Sequence, residues 1–155
     1  MSVEVGQPAP DVTLPTDGGG QVSLGDLKGR AVVLYFYPKD DTSGCTKEAL
    51  AFKDALADFE AAGAAIIGVS KDPVGKHDKF KAKHDLPFTL ASDAEGDVCE
   101  RYGVWKEKSM YGKTYMGIER TTVLIDRDGV VRQVWPKVKV PGHADAVLTA
   151  VRDLG

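Results

Sequence analysis

The segment PKDDTSGC, from Pro38 to Cys45, brings together residue types that could support thiol chemistry. An apolar run ends at Pro38, a short polar turn follows, and Cys45 enters the first turn of a predicted helix. Unpaired backbone N–H groups and the positive end of the helix dipole favour an anion at that point. A thiol placed there should lose its proton more readily than a free cysteine. The hydroxyl of Thr42, three residues before the sulfur, could hydrogen-bond a bound oxygen or the thiolate itself.

Cys45 also has a purely structural interpretation. It opens an apolar stripe whose members recur at spacings of four, three, four and three residues: Cys45, Ala49, Phe52, Leu56 and Phe59. Such spacing places side chains on one face of a helix, and free cysteine is among the most buried residue types. The proline, hydroxyl and glycine that lead into the helix favour a reactive thiol, because a structural cysteine does not need them.

Two apolar runs predict the strands that position this helix. Ala31–Tyr37 (AVVLYFY) is continuously apolar, β-branched and aromatic, which is typical of a central strand covered on both faces. Ala64–Ser70 (AAIIGVS) indicates a second buried strand after Gly63 ends the helix. Thr42 or Ser43 is a suitable N-cap for the helix between the two strands.

The flanking segments complete an α/β pattern. Residues 11–24 indicate two short extended stretches around a run of glycines, which predicts an N-terminal hairpin. Residues 121–126 and 130–135 predict a second hairpin about an Asp-Gly turn, and residues 142–154 predict a helix. Strands that alternate with helices and then form a hairpin are typical of an α/β sandwich with a mixed central sheet.

Three further segments carry separate predictions. The pattern over residues 73–85 predicts a helix that opens at a proline. Ser92-Asp93-Ala94-Glu95 matches a capping box and predicts that a short helix carrying Cys99 starts there. Residues 103–120 show little periodicity and are expected to be irregular, and an irregular stretch of this length in a compact domain is usually functional.

Other candidate sites have simpler interpretations. His77 and His84 could share a helix face as a metal pair, but their segment KHDKFKAKHD is more typical of a solvated, charged face. Asp40 and Asp41 could be paired carboxylates, but adjacent residues in a turn usually point apart, which makes them turn formers. Cys45-Thr46-Lys47-Glu48 is not a C-x-x-C motif, which disfavours a dithiol reductase.

Length and composition are those of an ordinary globular protein. The chain has 155 residues, with 43% hydrophobic residues, 28% charged residues and a formal net charge of −3. These values predict one domain over residues 1–155 and disfavour nucleic acid or an acidic membrane as a partner. Residues 1–10 lack the basic and apolar stretches of a secretory signal, so the two cysteines are interpreted as free or redox-active thiols of a cytoplasmic protein.

Pro38, Thr42 and Cys45 match the signature P-x-x-x-[T/S]-x-x-C of the peroxiredoxin family. The blocks YFYPKDDTSGCTKEA, SDAEGDVCERYGVW and MYGKTYMGIERTTVLIDRDG resemble its bacterioferritin comigratory protein branch, also called PrxQ. The resemblance covers essentially the whole chain. It implies a thioredoxin-like fold, with a mixed central sheet flanked by helices, and reduction of hydroperoxides without metal, haem or flavin.

The resemblance also implies roles for individual residues. Cys45 is expected to be the peroxidatic cysteine, which attacks the peroxide and becomes a sulfenic acid. Pro38 is expected to shield its sulfur and Thr42 to hydrogen-bond the peroxide. Arg120, which precedes the predicted strand TTVLID, matches the active-site arginine. A permanently charged fork can hold both thiolate and peroxide oxygen while charge moves between them.

The second cysteine leaves the catalytic cycle open. The branch often carries its resolving cysteine five residues after the peroxidatic one, where this chain has Leu50. Cys99 could resolve the sulfenic acid through an intramolecular disulfide, or an external thiol could do so. A thioredoxin-like protein or a low-molecular-weight thiol is the expected donor, and related proteins include monomers and homodimers. The alternative function is a peroxide-sensing or chaperone-like redox protein that uses the same thiol.

Overall fold

The computed structural model describes residues 3–154, which contain nine strands and four α-helices. The strands are β1 Thr13–Pro15, β2 Gln21–Ser23, β3 Ala31–Phe36, β4 Ala64–Ser70, β5 Thr89–Ser92, β6 Trp105–Met110, β7 Lys113–Ile118, β8 Thr121–Ile125 and β9 Val131–Trp135. The α-helices are α1 Ser43–Ala61, α2 Val74–His84, α3 Val98–Arg101 and α4 His143–Asp153.

A five-stranded mixed sheet with strand order β5-β4-β3-β8-β9 forms the centre of the fold. Strand β3 pairs in parallel with β4, and β4 in parallel with β5, whereas β8 runs antiparallel to both β3 and β9. Strands β1 and β2 form the N-terminal hairpin. The predicted mixed sheet, the helices that flank it and the N-terminal hairpin are therefore confirmed.

All six residues of the central strand β3 are buried. Because successive side chains of a strand point to opposite sides of the sheet, both faces of β3 are covered. Val33 and Tyr35 belong to a first core that includes apolar side chains of α1, α2 and α4. Val32 and Leu34 belong to a second core on the other side, with apolar side chains of β1 and α3. The sheet thus separates two apolar layers.

The longer helices follow the predicted spacing. Helix α1 begins directly after Thr42, and four of its five stripe residues are buried, Leu56 being partly exposed. Helix α2 follows Pro73 and ends next to Asp85, whose backbone is left-handed with φ of 51°. None of the helices within residues 3–154 is long and apolar enough to cross a membrane.

The expectation of an irregular stretch over residues 103–120 is wrong. Strands β6 and β7 form an antiparallel hairpin there, joined by Tyr111 and Gly112, which have φ of 53° and 78°. Two consecutive positive φ values are typical of a type I′ turn, which usually has Asn-Gly or Asp-Gly. Most residues of the hairpin are exposed or half-buried, so the apolar alternation that signals a strand is missing.

The capping-box prediction is also wrong. Helix α3 begins at Val98, several residues after Ser92. The Asp93 carboxylate accepts hydrogen bonds from the backbone N–H groups of Val98 at 3.2 Å and Cys99 at 2.7 Å. A carboxylate from the preceding loop therefore binds free N–H groups in the first turn of α3. The capping-box pattern did not predict this arrangement.

Candidate active site

Cys45 lies in the first turn of α1, where the sequence predicts it. The helix begins at Ser43, so the N–H groups of its first turn have no carbonyl of the same helix to bind. The side chain is 1% exposed and belongs to the first core. A negative charge on this sulfur would lie at the positive end of the helix dipole.

Arg120 contacts the sulfur from the loop between β7 and β8. Its Nη2 donates to Cys45 Sγ at 3.4 Å, and its Nη1 donates to Glu48 Oε1 at 2.7 Å. A Cβ atom on Gly44 would lie 3.0 Å from Arg120 Nη2, so the glycine leaves room for the guanidinium against the helix. The arrangement can hold a thiolate and still present N–H donors to an oxygen beside it.

Thr42 precedes the helix but does not cap it with its side chain. Its hydroxyl donates to the carbonyl of Lys39 at 2.9 Å, and the residue is exposed. Because the hydrogen is used in that bond, the oxygen presents its lone pairs as acceptors. Pro38 is exposed two residues after the end of β3, and the shielding role implied for it stays a prediction.

Glu48 is a component of this site that sequence reasoning missed. Its side chain is buried, and its Oε2 has no hydrogen-bond partner among the described residues. Burial raises the pKa of Glu48 to about 7, against the opposing effect of Arg120. Burial and then the charge of Arg120 lower the pKa of His143 to about 4. The Arg120 guanidinium therefore affects the ionisation of both Glu48 and His143.

Glu48→Gln is expected to make the protein relatively more stable as pH rises. Between about pH 4.5 and 7 the folded wild type retains a proton that the unfolded chain has lost, so its stability falls with pH by about 3 kcal/mol. Glutamine does not titrate, so the variant lacks this loss. Urea unfolding at pH 4.5 and 7.5 measures the difference in the free energy of unfolding between variant and wild type. The titration of His143 contributes to both proteins and therefore cancels in this difference.

The matched control for this prediction is Glu60→Gln, an exposed glutamate of the same helix. We expect its stability difference from the wild type to be the same at both pH values. A pH-independent difference for Glu48→Gln as well would contradict the assignment of a buried, titrating carboxyl.

His77 and Asp40, whose sequence patterns predict a solvated helix face and a turn, are both buried. His77, expected on a solvated face, is fully buried, and that prediction is wrong. Its Nδ1 lies 2.6 Å from Oδ2 of Asp40, which is also buried. The signal in the sequence was the position of His77, three residues before Phe80 and hence on the same helix face.

The described residues contain one group of side chains close enough to share a metal ion, Asp40, Asp72 and His77. Hydrogen bonds already engage these side chains. His77 Nε2 is 2.9 Å from the carbonyl of Ala91, and Asp72 Oδ2 accepts from the N–H of Asp40 at 2.7 Å. The group is therefore explained as a hydrogen-bonded support for the loop.

Cys99 lies in the second core, on the opposite side of the sheet from Cys45. It is fully buried in α3. Burial and then the Asp93 carboxylate raise the pKa of the Cys99 thiol well above its usual value. The structure therefore brings Arg120 and Thr42 to the Cys45 end of α1 but does not bring Cys99 there.

Comparisons with known sequences match nearly the whole chain. Residues 5–134 match the AhpC/TSA family. A relative from Coxiella burnetii is 59% identical over 148 residues, which are 96% of this chain and 98% of that protein. Peroxiredoxin Bcp from Bacillus subtilis is 51% identical over 154 residues, which are 99% of this chain and 98% of the relative.

Solved structures agree with these matches. A bacterioferritin comigratory protein from Xanthomonas campestris has a TM-score of 0.90 and 46% identity, covering 97% of this chain and 99% of that chain. A PrxQ variant from Xylella fastidiosa has a TM-score of 0.93 and 38% identity, covering 99% and 98%. The relatives favour a peroxidase over the peroxide-sensing alternative. The chain belongs to the AhpC/TSA family and, within it, to the Bcp/PrxQ branch of the peroxiredoxins, which are thiol-dependent peroxidases.

Proposed function

We propose that Cys45 is the peroxidatic cysteine of this peroxidase. Its thiolate attacks one oxygen of a hydroperoxide, the O–O bond breaks, and an S–O bond forms. The product is a sulfenic acid, and the departing oxygen takes a proton and leaves as water or an alcohol. The observation that carries the proposal is the contact of Arg120 Nη2 with Cys45 Sγ at the start of α1.

Arg120 and Thr42 supply the groups that the reaction needs around this sulfur. Negative charge moves from sulfur to the leaving oxygen, and the guanidinium can stabilise it at both places. The Thr42 oxygen, whose hydrogen bonds the Lys39 carbonyl, can accept a hydrogen bond from the hydroperoxide. Pro38, in the loop between β3 and α1, is assigned to shielding the sulfur on the basis of the family resemblance.

We assign the resolving step to an external thiol. Cys99 lies across the sheet and is fully buried, and its raised pKa keeps it a neutral thiol, which is a poor nucleophile. An external thiol attacks the sulfenic sulfur, releases water and forms a mixed disulfide. A second thiol then breaks that disulfide and restores Cys45, so the two donor thiols are oxidised to a disulfide.

Hydrogen peroxide and organic hydroperoxides are the proposed substrates. The Xanthomonas campestris relative is described as having alkyl peroxide reduction activity, which supports the organic class. A thioredoxin-like protein or a low-molecular-weight thiol is the proposed donor. The cytoplasmic location, the single domain over residues 1–155 and a monomeric or homodimeric state stay predictions from the sequence.

The test is intact-mass analysis of the reduced protein after one equivalent of hydrogen peroxide, with Cys99→Ser as the companion variant. We expect both proteins to gain one oxygen atom. Loss of two hydrogens in the wild type, with a gained oxygen in Cys99→Ser, would identify Cys99 as the resolving cysteine. An unchanged mass in both proteins would refute the assignment of Cys45.

A further inference from the structure

The peptide unit between Lys39 and Asp40 is held from both sides. The N–H of Asp40 donates to Asp72 Oδ2 at 2.7 Å, and the carbonyl of Lys39 accepts from Thr42 Oγ1 at 2.9 Å. Both groups belong to the same planar amide, so the orientation of one determines the orientation of the other. Asp72 and the Thr42 hydroxyl are therefore linked through one rigid unit, although 30 residues separate them in the sequence.

Asp72 is itself held rigidly at the end of β4. The Ser70 hydroxyl donates to Asp72 Oδ2 at 2.7 Å, and the Asp72 N–H donates to Ser70 Oγ at 3.1 Å. The Asp72 carbonyl accepts from Ser92 Oγ at 2.6 Å. Because Ser70 and Ser92 are the last residues of β4 and β5, the central sheet sets the position of the Asp72 carboxylate.

The side chain of Asp40 prevents the same peptide from rotating. Its Oδ1 accepts from the Tyr37 hydroxyl at 2.5 Å, and its Oδ2 lies 2.6 Å from His77 Nδ1. A carbonyl can only accept, so His77 Nε2 carries the hydrogen that bonds Ala91 at 2.9 Å. The loop before α1 is thus bound to the sheet and to α2 by buried side chains.

We propose that Asp72 is a positioning residue for Thr42. By holding the Asp40 N–H, it directs the Lys39 carbonyl toward the Thr42 hydroxyl and makes that hydroxyl a hydrogen-bond donor to the loop. The lone pairs of the Thr42 oxygen then face the hydroperoxide, whose O–H they accept. A carboxylate on the N–H side also polarises the amide and strengthens the bond on its carbonyl side.

This inference rests on the proposed role of Thr42, and a double-mutant cycle separates the two. Asp72→Ala is made in the wild type and in Thr42→Val, and the rate of Cys45 oxidation by hydrogen peroxide is measured by stopped flow. We expect roughly a tenfold loss in the wild-type background, the scale of one displaced hydrogen bond. In the Thr42→Val background we expect no further loss, because the hydroxyl that Asp72 positions is gone.

Three companion variants sharpen the cycle. Asp72→Asn keeps an oxygen that can accept the Asp40 N–H and should retain most of the rate. Tyr102→Phe, in the second core, removes a hydroxyl that donates to the backbone carbonyl of Pro10, so it serves as the matched control and should leave the rate unchanged. Ser70→Ala removes a hydrogen bond that holds the Asp72 carboxylate. It replaces Asp72→Ala in the double-mutant cycle if Asp72→Ala does not fold.

The outcomes are distinct. An equal loss in both backgrounds means that Asp72 supports only the fold, and the inference is then wrong. A loss of rate in Asp72→Asn as large as in Asp72→Ala also contradicts it. If Thr42→Val alone leaves the rate unchanged, the proposed role of Thr42 fails, and the inference fails with it. An effect of Thr42→Val without any effect of the Asp72 variants rejects the inference alone.

Discussion

Methionine in place of Arg120 is expected to slow the oxidation of Cys45 by hydroperoxide about a thousandfold. The guanidinium is the one cation that the structure places on Cys45 Sγ among the described residues, and its second N–H arm is held by Glu48. Methionine is similar in length and fills much of the space but supplies neither charge nor donors. Stopped-flow measurement of the second-order rate constant at pH 7 tests the prediction.

Arg120→Lys and Arg132→Met are the companions of this variant. Lysine keeps the charge but cannot bond Glu48 and sulfur as a planar fork, so we expect only partial recovery of the rate. Arg132 is an exposed arginine of β9 that pairs with Asp126, and its replacement should leave the rate unchanged. An Arg120→Met rate within tenfold of the wild type would remove the arginine from the mechanism.

The loss of Arg120 also leaves Glu48 without its partner, which could lower stability independently of catalysis. Arg120→Met combined with Glu48→Gln removes this complication, because a neutral amide does not carry an unpaired buried charge. We expect the double variant to regain stability in urea unfolding and to remain as slow as Arg120→Met. Recovery of the rate in the double variant would show that the single variant was slow because it was misfolded.

Thr42→Val is expected to lower the same rate constant by about a hundredfold, with a much smaller effect on the ionisation of the Cys45 thiol. Valine has nearly the shape of threonine but no oxygen to accept a hydrogen bond from the peroxide. Ionisation of the thiol can change the rate only as far as the thiolate fraction changes, and typical enzymatic accelerations are far larger. Orientation of the peroxide must therefore account for most of the loss.

The measurement combines stopped-flow rates with a titration of the Cys45 thiol in wild type, Thr42→Val and Thr42→Ser. Thr42→Ser keeps the hydroxyl and should recover most of the rate. Thr149→Val is a suitable control, because Thr149 also donates to a backbone carbonyl but lies exposed on α4. If a changed thiolate fraction accounted for the whole loss of rate in Thr42→Val, the conclusion that Thr42 acts mainly by orienting the peroxide would be refuted.

The sequence predicts the scaffold of the site well because that scaffold depends on local patterns. Strand β3, helix α1 and strand β4 are long and strongly patterned, and their order places Cys45 at the start of a helix after a buried strand. Arg120 could be assigned only through the family resemblance, since it lies 75 residues from Cys45. Local spacing carries no information about a contact of that kind.

Glu48 shows what the apolar stripe of α1 could have indicated. It lies three residues after Cys45 and four before Phe52, hence on the buried face of the helix. A glutamate at such a position needs a cationic partner, because a buried carboxylate is rarely left unpaired. The sequence therefore contained the signal for an ion pair but not the identity of Arg120.

Asp40, Asp72 and His77 were not predictable as a group for a different reason. Each lies in a polar segment that is typical of a turn or a solvated helix face. They meet because β3 and β4 are parallel neighbours, which brings the loops that follow them to one edge of the sheet. Tertiary pairing, not local propensity, places these polar groups inside the fold.

In the proposed cycle, the sheet between Cys45 and Cys99 also determines how the enzyme becomes inactivated. Because that cycle assigns the resolving step to an external thiol, a sulfenic acid at Cys45 persists until a thiol arrives from solvent. During that time a second hydroperoxide can oxidise it to the sulfinic acid, which ordinary thiols do not reduce. Irreversible loss per turnover is therefore set by the ratio of peroxide to thiol around the protein, and an abundant donor protects it.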